Sequence, residues 1–403
     1  MTNVSRKMSD YCKLSRLELH ILSIVLFAVL VFVIVLADSL ACDLLFNSVA
    51  CETKGDRLGL QILEAKQRVD GANNGSSMPP FNLTWLKNKL PDLDMLKARR
   101  ITQKFDERVR EVLYDDHQQC QVQFFMIWIF PASLFGRREF SALESIFKAH
   151  PKACLIILSE TLDSIQGFML LKPLLDRGYR VAPVTPDLLY LFKNTSAEAW
   201  FNDILSGNRN PGEVPLAQNL SNLIRLVVLY KYGGVYLDTD FIVLRDFSRL
   251  RNVIGAQSAD LNGNWTRLNN AVLVFDKNHP LLYEFMEEFQ LTFDGNRWGH
   301  NGPYLVSRVV ERLATNMMLH KYNFTVLPPM AFYPVDWNRI DGLFMRTSNP
   351  KWTKAKLRQI TGGDTYGIHL WNRQSSRTKI EEGSIVATLI ADHCIICQNV
   401  SSS

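Results

Sequence analysis

The chain has 403 residues, of which 47% are hydrophobic, and this is enough for one or two domains with a sizeable core. Its formal net charge of +5 is spread along the chain without a basic aromatic stripe, so nucleic-acid binding is not indicated. Seven cysteines are too few for a fold built on disulfides, although some can pair in an oxidising compartment.

Residues 21–37 form an apolar run that is interrupted only by Ser23. A helix of this length spans about 25 Å, which suits the thin bilayer of the early secretory pathway. Basic residues precede the run and acidic residues follow it, so the positive-inside rule predicts a cytosolic tail at 1–20 and a luminal remainder. We predict an uncleaved transmembrane anchor, with a signal peptide cleaved after Ala41 as the alternative.

The predicted luminal part is rich in Asn-X-Ser/Thr triplets, which are acceptors of N-linked glycans. They begin at Asn74, Asn82, Asn194, Asn219, Asn264, Asn323 and Asn399. Residues 38–120 are predicted to be a luminal stem, because 73–80 have a linker composition and 96–113 are charged with little to bury. Residues 399–403 are predicted to be a short C-terminal tail.

From residue 121 to residue 398 the pattern becomes an alternation of strands and helices. The predicted strands are 122–130, 153–158, 180–184, 235–237, 270–275 and 366–371. The predicted helices include 140–150, 163–176, 281–293, 304–313 and one from about 382. Such alternation is typical of an α/β domain with a mostly parallel sheet covered on both faces. Ligands of these sheets bind outside the carboxyl ends of the strands.

The stretch 220–243 combines an apolar helix face, a glycine break and a short strand that ends at two aspartates. Gly233 and Gly234 are predicted to stop the helix in a left-handed cap, which glycine adopts without a Cβ clash. If the chain stays extended beyond the strand, Asp238 and Asp240 point to one face, about 7 Å apart. Such carboxylates repel each other unless a cation lies between them, and Mn²⁺ or Mg²⁺ with a phosphate-bearing ligand meets that need.

An aspartate pair alone is weak evidence, because solvated turns contain such pairs and the chain has another at 92–94. The sequence around Gly-Gly-Val-Tyr-Leu-Asp-Thr-Asp at 233–240, however, resembles the nucleotide-sugar-binding core of the α1,4-glycosyltransferase family. The resemblance covers most of 122–398 and continues, in family order, through blocks at 269–275, 298–303, 327–334 and 369–372. It implies a GT-A fold, type II Golgi membrane topology, a UDP-sugar donor, Mn²⁺ dependence and retention of anomeric configuration.

The resemblance implies a metal site at three residues. Asp240 would bind the metal, and Asp238 would hold the ribose hydroxyls of the donor and help to hold the metal. His369, at the end of the last predicted strand, would be the third ligand, with a hydrogen-bonded core histidine as the alternative. Trp371 and Asn372 would shape the phosphate side of the site.

Other residues are candidates for binding the nucleotide sugar. In related enzymes an arginine that matches Arg225 reaches the donor sugar or diphosphate, and a structural ion pair is the alternative. Asn222 stands where many relatives have aspartate, so it can bond sugar hydroxyls but carries no charge. Trp128 resembles a tryptophan that lies near uracil in distant relatives, with a core aromatic as the alternative. Tyr236, in the strand before the aspartates, is included among the candidates.

Two later segments supply further candidates. Asn270 and Asp276 bracket a strand that is expected to flank the donor sugar. His300 is expected to face the sugar or the acceptor. Asn301 precedes Gly302 and a helix-starting proline, and helix capping explains it without a binding role.

Cys394 and Cys397 form a Cys-x-x-Cys motif outside the contexts that redox and zinc sites need. A structural disulfide is therefore predicted, and the spacing leaves its pairing open. The two cysteines can pair with each other, or with Cys120 or Cys154.

The predicted function is retaining transfer of a hexosyl unit, galactose or N-acetylglucosamine, from a UDP-sugar to a glycan or glycolipid acceptor in an α-linkage. The sequence assigns no catalytic residue, because a carboxylate nucleophile and front-face attack assisted by the diphosphate are both compatible with it. The alternatives are a non-catalytic carbohydrate-binding or scaffolding protein on a decayed transferase fold, and a GDP-mannose-dependent α-mannosyltransferase. The acceptor and the oligomeric state do not follow from the sequence.

Overall fold

The computed structural model of the protein describes residues 104–114 and 120–397. The predicted cytosolic tail, the membrane anchor, most of the stem and the C-terminal tail lie outside the described residues. Within the described part of the chain, no helix combines the length and the apolar character needed to cross a membrane.

The described residues form nine strands and twelve α-helices, joined by turns and short 3₁₀ segments. The strands are β1 Gln123–Ile127, β2 Cys154–Leu158, β3 Arg180–Val184, β4 Gly234–Leu237, β5 Phe241–Val243, β6 Val253–Ala259, β7 Trp265–Phe275, β8 Thr325–Leu327 and β9 Gly367–His369. The helices are α1 Phe105–Leu113, α2 Arg137–Ala149, α3 Ile165–Leu175, α4 Leu188–Phe192, α5 Ala197–Leu205, α6 Leu216–Tyr232, α7 Pro280–Thr292, α8 Pro303–Thr315, α9 Pro329–Phe332, α10 Pro350–Thr361, α11 Asn372–Ser375 and α12 Ile385–Asp392.

Seven strands form one sheet in the order β3-β2-β1-β4-β7-β6-β8. Within this sheet β7 alone is antiparallel to its neighbours, and the other six strands share one direction. The predicted α/β class with a mostly parallel sheet is therefore confirmed. The last predicted strand does not belong to this sheet. It corresponds to β9, which pairs with β5 in a separate two-stranded antiparallel sheet.

The central strands are buried on both faces. Phe125 of β1 belongs to the hydrophobic cluster that contains α6, whereas its neighbour Phe124 belongs to the cluster that contains α2. Successive side chains of a strand point to opposite faces, so a continuous apolar run supplies both clusters. This explains why β1 and β2 read as unbroken hydrophobic stretches.

The glycine break between α6 and β4 is where it was predicted, but its backbone conformation differs. Gly233 has φ +72° and ψ −179°, so it is not in the left-handed helical region, yet its positive φ still favours glycine. Gly234 has φ +108°, and a Cβ there would lie 2.6 Å from Cγ of Gln123. The two glycines therefore allow β4 to begin directly at the end of α6, close against β1.

Helix α1 corrects our expectation that 96–113 has little to bury. Phe105, Val109 and Leu113 recur every four residues and are buried in the core. On another face of the helix, both terminal nitrogens of Arg108 donate to the carboxylate of Asp163 at 2.7 Å. The helix thus packs against the core although it lies within the range predicted to be the stem.

Two disulfides lie in the described residues, and one of them is among the pairings that the sequence left open. Cys394 bonds to Cys397, with a Cα–Cα distance of 5.1 Å, and Cys120 bonds to Cys154, with a Cα–Cα distance of 5.6 Å. Oε1 of Glu144 in α2 accepts hydrogen bonds from three successive backbone N–H groups, at 395–397. The C-terminal disulfide turn is therefore held against α2.

The glycosylation triplets differ in their accessibility. Asn194, Asn264 and Asn323 are exposed, whereas Asn219 lies within α6 and is only 2% exposed. Asn219 is thus a poor acceptor in the folded protein, which corrects its inclusion among the candidate acceptors.

Candidate functional site

The two aspartates lie in the turn that joins β4 to β5. The N–H of Phe241 donates to the carbonyl of Asp238 at 3.1 Å and closes this turn, so the chain is not extended there as we expected. In the small sheet, Phe241 is the register partner of His369, and the N–H of Leu370 donates to the carbonyl of Asp240 at 2.9 Å. Pairing of β9 with β5 therefore carries the histidine to the aspartates from a distant part of the sequence.

The structure brings Asp238, Asp240 and His369 together at the carboxyl end of β4. Nε2 of His369 lies 3.2 Å from Oδ1 of Asp240 and 3.8 Å from Oδ2 of Asp238. One ligand atom from each residue lies within 4.8 Å of the others. This is the predicted metal-ligand set, and we call it the Asp-Asp-His cluster.

Each carboxylate of the cluster uses one oxygen for protein contacts and turns the other towards the imidazole. Oδ1 of Asp238 accepts from the hydroxyl of Tyr236 at 2.8 Å and lies 3.1 Å from Nη1 of Arg225. Oδ2 of Asp240 accepts from the backbone N–H of Asn372 at 2.7 Å. The remaining oxygens, Oδ2 of Asp238 and Oδ1 of Asp240, are therefore oriented for a shared ligand.

Burial and charge act against each other in the cluster. Burial lowers the pKa of His369, but the charges of Asp240 and Asp238 outweigh it and raise the pKa to about 9. Burial raises the pKa of the Asp240 carboxyl, whereas the neighbouring imidazole and the Asn372 N–H lower it, and the net shift is downward. The buried carboxylate thus depends on a nearby positive charge.

The donor set fits a divalent cation. Both ring nitrogens of His369 are buried without a hydrogen-bond partner, although Nε2 is close to the two carboxylates. An unsatisfied imidazole beside two carboxylate oxygens offers the nitrogen and oxygen ligands that Mn²⁺ accepts, and Mg²⁺ prefers the oxygens. The cluster can therefore hold such an ion through one atom of each residue.

Arg225 is buried and fully engaged by its neighbours. It lies 3.1 Å from Asp238, donates to the carbonyl of Asn270 at 2.9 Å and bonds twice to Ser221. Its guanidinium also stacks over the ring of Tyr236, 4.5 Å from the centroid. These contacts match the structural ion pair that we gave as the alternative, and they fix Asp238 in place.

Asn222 and Asn270 meet beside this arginine. Nδ2 of Asn270 donates to Oδ1 of Asn222 at 3.0 Å, and both side chains are buried. A Cβ at Gly302 would lie 2.7 Å from Oδ1 of Asn222, so the backbone before α8 packs directly on this pair. The two amides connect α6, β7 and the 293–302 loop that leads into α8.

His300 and Asn301 hold the 293–302 loop rather than reaching the cluster. Nε2 of His300 lies 2.9 Å from the carbonyl of Thr292. Asn301 does not cap α8, whose N-cap is Gly302; instead its amide bonds to Asn219 and to the backbone of Asp294. The capping explanation for Asn301 was therefore wrong, because the side chain turns towards α6.

The two candidate tryptophans have different surroundings. Trp128 makes edge contacts with Phe130 and Phe135, as expected of the core aromatic that was the alternative. Trp371 lies with its ring centroid 4.4 Å from that of His369, and its Nε1 donates to the carbonyl of Val335 at 2.9 Å. Trp371 thus orients the imidazole.

Asp276 lies at the opposite end of β7 from the cluster, so of the two residues that bracket this predicted strand only Asn270 is near the site. Strand β7 is antiparallel to β4, so Val272 pairs with Leu237 near the aspartates and Phe275 pairs with Gly234 at the far end. Asp276 instead bonds to Arg251 and Asn252 there. A surface cleft of about 360 Å³ also lies at this far edge, away from the cluster.

Sequence reasoning missed two charged residues at the start of α2. Arg138 donates to Oδ1 of Asn372 at 3.2 Å and to the carbonyl of Ser375 at 2.8 Å. Glu139 is buried beside them, and burial raises the pKa of its carboxyl. Their position in the sequence could have indicated them. Helix α2 follows the carboxyl end of β1, and ligands of such sheets bind at the carboxyl ends of the strands.

Comparisons with known proteins agree with this placement. A family model described as "Glycosyltransferase sugar-binding region containing DXD motif" matches residues 136–260, and one described as "Alpha 1,4-glycosyltransferase conserved region" matches residues 274–401. The first match contains the two aspartates and the second contains the histidine.

Several curated proteins are similar to the chain. Lactosylceramide 4-α-galactosyltransferase of Mus musculus is 33% identical over 262 residues, which are 63% of this chain and 68% of that protein. Human α-1,4-N-acetylglucosaminyltransferase is 28% identical over 218 residues, or 52% of this chain and 58% of that protein. An uncharacterized Arabidopsis thaliana protein is 31% identical over 296 residues, and the chain spans 43% of its length.

Solved structures also resemble the chain. The PaToxG glycosyltransferase has 16% identity and a TM-score of 0.37, covering 58% of this chain and 86% of that one. The glycosyltransferase GlyE of Streptococcus pneumoniae has 12% identity and a TM-score of 0.38, covering 70% of this chain and 62% of that one.

Proposed function

The chain belongs to the α1,4-glycosyltransferase family, and on that basis we propose that it transfers a hexosyl unit from a UDP-sugar to a glycan or glycolipid acceptor, in an α-linkage with retention of configuration. The observation that carries the proposal is the Asp-Asp-His cluster, in which two carboxylates and an imidazole each present one ligand atom to a common point. The fold proposed for this activity is GT-A-like.

We propose that the cluster holds Mn²⁺, or Mg²⁺, through Asp238, Asp240 and His369. When bound, the ion supplies positive charge to the diphosphate of the donor and stabilises it as it leaves. Arg225 and Tyr236 fix the first carboxylate, and the Asn372 N–H fixes the second. These contacts orient the ligand atoms before the donor arrives.

The donor sugar is proposed to lie beside Asn222 and Asn270, whose side chains bond to each other and where the backbone carbonyl of Asn270 accepts from Arg225. Galactose and N-acetylglucosamine are the proposed sugars, because relatives of the chain are named for transfer of each. Both donors carry the same nucleotide diphosphate, so the cluster itself does not choose between them. GDP-mannose is the donor of the alternative activity.

We further propose that residues 21–37 anchor the chain in the Golgi membrane and that the catalytic domain is luminal. The two disulfides support this location, because such bonds persist mainly in oxidising compartments. The exposed triplets at Asn194, Asn264 and Asn323 are also compatible with a luminal domain.

The test is release of the nucleotide diphosphate by the purified full-length chain. We expect UDP release from UDP-galactose or UDP-N-acetylglucosamine with Mn²⁺ and little release from GDP-mannose. Asp240→Asn should lower the rate by about 100-fold or more, because the variant loses the charge that holds the ion. Asp260→Asn, at an exposed residue of the β6–β7 hairpin, is the matched control. Full activity of Asp240→Asn would contradict the metal site, and preference for GDP-mannose would favour the alternative.

A further inference from the structure

A surface next to the Asp-Asp-His cluster presents two exposed aromatic rings, each with an arginine over it. The guanidinium carbon of Arg373 lies 3.8 Å from the ring centroid of Trp298, and that of Arg267 lies 4.5 Å from the ring centroid of Tyr304. We call these four residues the aromatic–arginine patch.

The patch is directly connected to the cluster through Arg373. The preceding residue, Asn372, donates its backbone N–H to Oδ2 of Asp240 at 2.7 Å. The loop that carries Trp298 also reaches the site, because a Cβ at Gly302 would lie 2.7 Å from Oδ1 of Asn222. The two segments that carry Arg373 and Trp298 therefore both contact the inner part of the site through their backbones.

The ring of Tyr304 packs on the loop that carries Trp298. Gly299, which follows Trp298, has φ +74°, and a Cβ there would lie 3.0 Å from the ring of Tyr304. Only glycine combines this backbone conformation with so close a ring without strain. The loop backbone between the two rings is thus packed against Tyr304.

The loop that carries Trp298 is fixed at both sides. Asn301 bonds to Asn219 of α6 at 2.9 Å, and the N–H of Val214 donates to the carbonyl of Gly295 at 2.8 Å. Burial of Asn301 and of Asn219 makes these anchors hard to exchange for water. Trp298 is therefore presented by a rigid loop, which lowers the entropy that a ligand must overcome.

Exposure distinguishes the patch from the inner part of the site. Trp298 is 45% exposed and Tyr304 is 42% exposed, whereas Asn222, Arg225 and Asn270 are all buried. Within the described residues, Arg373 has no partner other than the Trp298 ring, so its N–H donors are available. Arg373 covers part of the Trp298 ring and holds it, while much of the residue, 45%, is exposed to solvent.

We propose that the aromatic–arginine patch binds a pyranose ring of the acceptor glycan, with the open part of the Trp298 ring against the apolar C–H face of the sugar and Arg373 holding the ring from its other face. The inference rests on the proposed glycosyl transfer. The donor belongs to the buried amide side of the cluster, and the acceptor approaches from the exposed side. An exposed, rigid aromatic beside free N–H donors offers the mixed surface that a sugar ring needs.

Steady-state kinetics of the full-length chain test the proposal, with lactose as the acceptor probe and hydrolysis of the UDP-sugar without acceptor as a second readout. Trp298→Ala should raise the KM for lactose about tenfold, since the stack is lost. The KM for the donor and the hydrolysis rate should stay unchanged, and Trp298→Phe should recover part of the loss. Trp352→Ala is the matched control, because Trp352 is 44% exposed on α10.

A binding measurement separates this proposal from the proposed function. Retention of the wild-type and Trp298→Ala chains on an immobilised array of neutral glycans needs no catalysis, and we expect the variant to be retained less. An equal loss of hydrolysis and transfer in Trp298→Ala would place Trp298 in the donor site and overturn the proposal, as would unchanged lactose KM and array retention. A wild-type chain that binds the array through Trp298 but neither transfers nor hydrolyses would contradict the proposed function alone.

Discussion

Two aspartates that look equivalent in the sequence are fixed by different means. Asp238 is held by side chains that precede it, Arg225 and Tyr236, whereas Asp240 is held by a backbone N–H from Asn372, more than a hundred residues later. These donors occupy Oδ1 of Asp238 and Oδ2 of Asp240, so Oδ2 of Asp238 and Oδ1 of Asp240 are left for a ligand. The cluster is thus preorganised by contacts that lie outside its three members.

The guanidinium group of Arg225 contacts Asp238, Asn270 and Ser221 at the same time. Lysine keeps the charge but can satisfy only part of these contacts. Arg225→Lys should therefore weaken binding of Mn²⁺ by about 10-fold to 100-fold, as expected for a group that orients a metal ligand. Isothermal titration with Mn²⁺ in the presence of UDP measures this.

A control for Arg225→Lys is Arg209→Lys, which alters a partly buried arginine bonded to the carbonyl of Gln290 in α7 and paired with Asp203 of α5. We expect the control to bind Mn²⁺ like the wild type. Wild-type metal affinity in Arg225→Lys would show that Asp238 does not depend on this arginine.

At the residue scale, the sequence predicted the cluster because its aspartates are adjacent and its histidine ends a strand. The sequence could not predict which candidate side chains form hydrogen bonds within the protein instead of facing a ligand. The sequence suggested a helix cap for Asn301 and a ligand contact for His300, but the 293–302 loop directs their side chains to Asn219 and Thr292. Such orientations depend on tertiary contacts, which a local pattern does not contain.

At the scale of elements, strand positions followed from apolar runs, but sheet membership did not. The short strands β5, β6 and β8 were not predicted, because three to seven residues are too few to show a clear periodicity. Pairing of β5 with β9 is a contact between segments over a hundred residues apart. This pairing, which brings His369 to the aspartates, was therefore beyond local reasoning.

The attachment of helix α1 depends on the ion pair between Arg108 and Asp163. Asp163 accepts two hydrogen bonds from Arg108 and two from Thr185, and its side chain is 11% exposed. Asp163→Asn should lower the free energy of unfolding by about 2 kcal/mol, because charged hydrogen bonds to a largely buried group are lost. Urea denaturation at neutral pH measures the difference.

The difference in unfolding free energy between the wild type and Asp163→Asn should depend on pH, because the Asp163 carboxyl titrates. Burial raises its pKa, but the bonds from Arg108 and Thr185 outweigh burial and lower the pKa below 3.8. Its contribution to stability is therefore complete above pH 3.8 and is lost as the pH falls through the lower, folded pKa. The stability gap between wild type and Asp163→Asn should shrink in that acidic range.

Asp203→Asn is the control for Asp163→Asn, since Asp203 forms a more exposed pair with Arg209 at 3.3 Å. We expect its effect to be below about 1 kcal/mol. A similar loss in both variants, or a gap for Asp163→Asn that persists at low pH, would contradict the role of this ion pair.

At the scale of the whole molecule, the proposed location determines which chemical modifications the surface should carry. A domain folded in the lumen of the secretory pathway meets the glycosylation machinery and oxidising conditions together. The described part of the chain contains both disulfides and four triplets, of which three are exposed. Glycan occupancy therefore tests topology and fold in one experiment.

Glycopeptide mass spectrometry of the full chain from eukaryotic cells should find glycans at Asn194, Asn264 and Asn323 and none at Asn219. Asn219 is buried and accepts the Asn301 amide, so a glycan there would prevent α6 from packing against the 293–302 loop. Ser196→Ala removes the Asn194 triplet at a hydroxyl without a hydrogen-bond partner, and should remove one glycan at unchanged stability. Unmodified exposed triplets would contradict luminal topology, and a glycan at Asn219 in folded, active protein would contradict the packing of this helix.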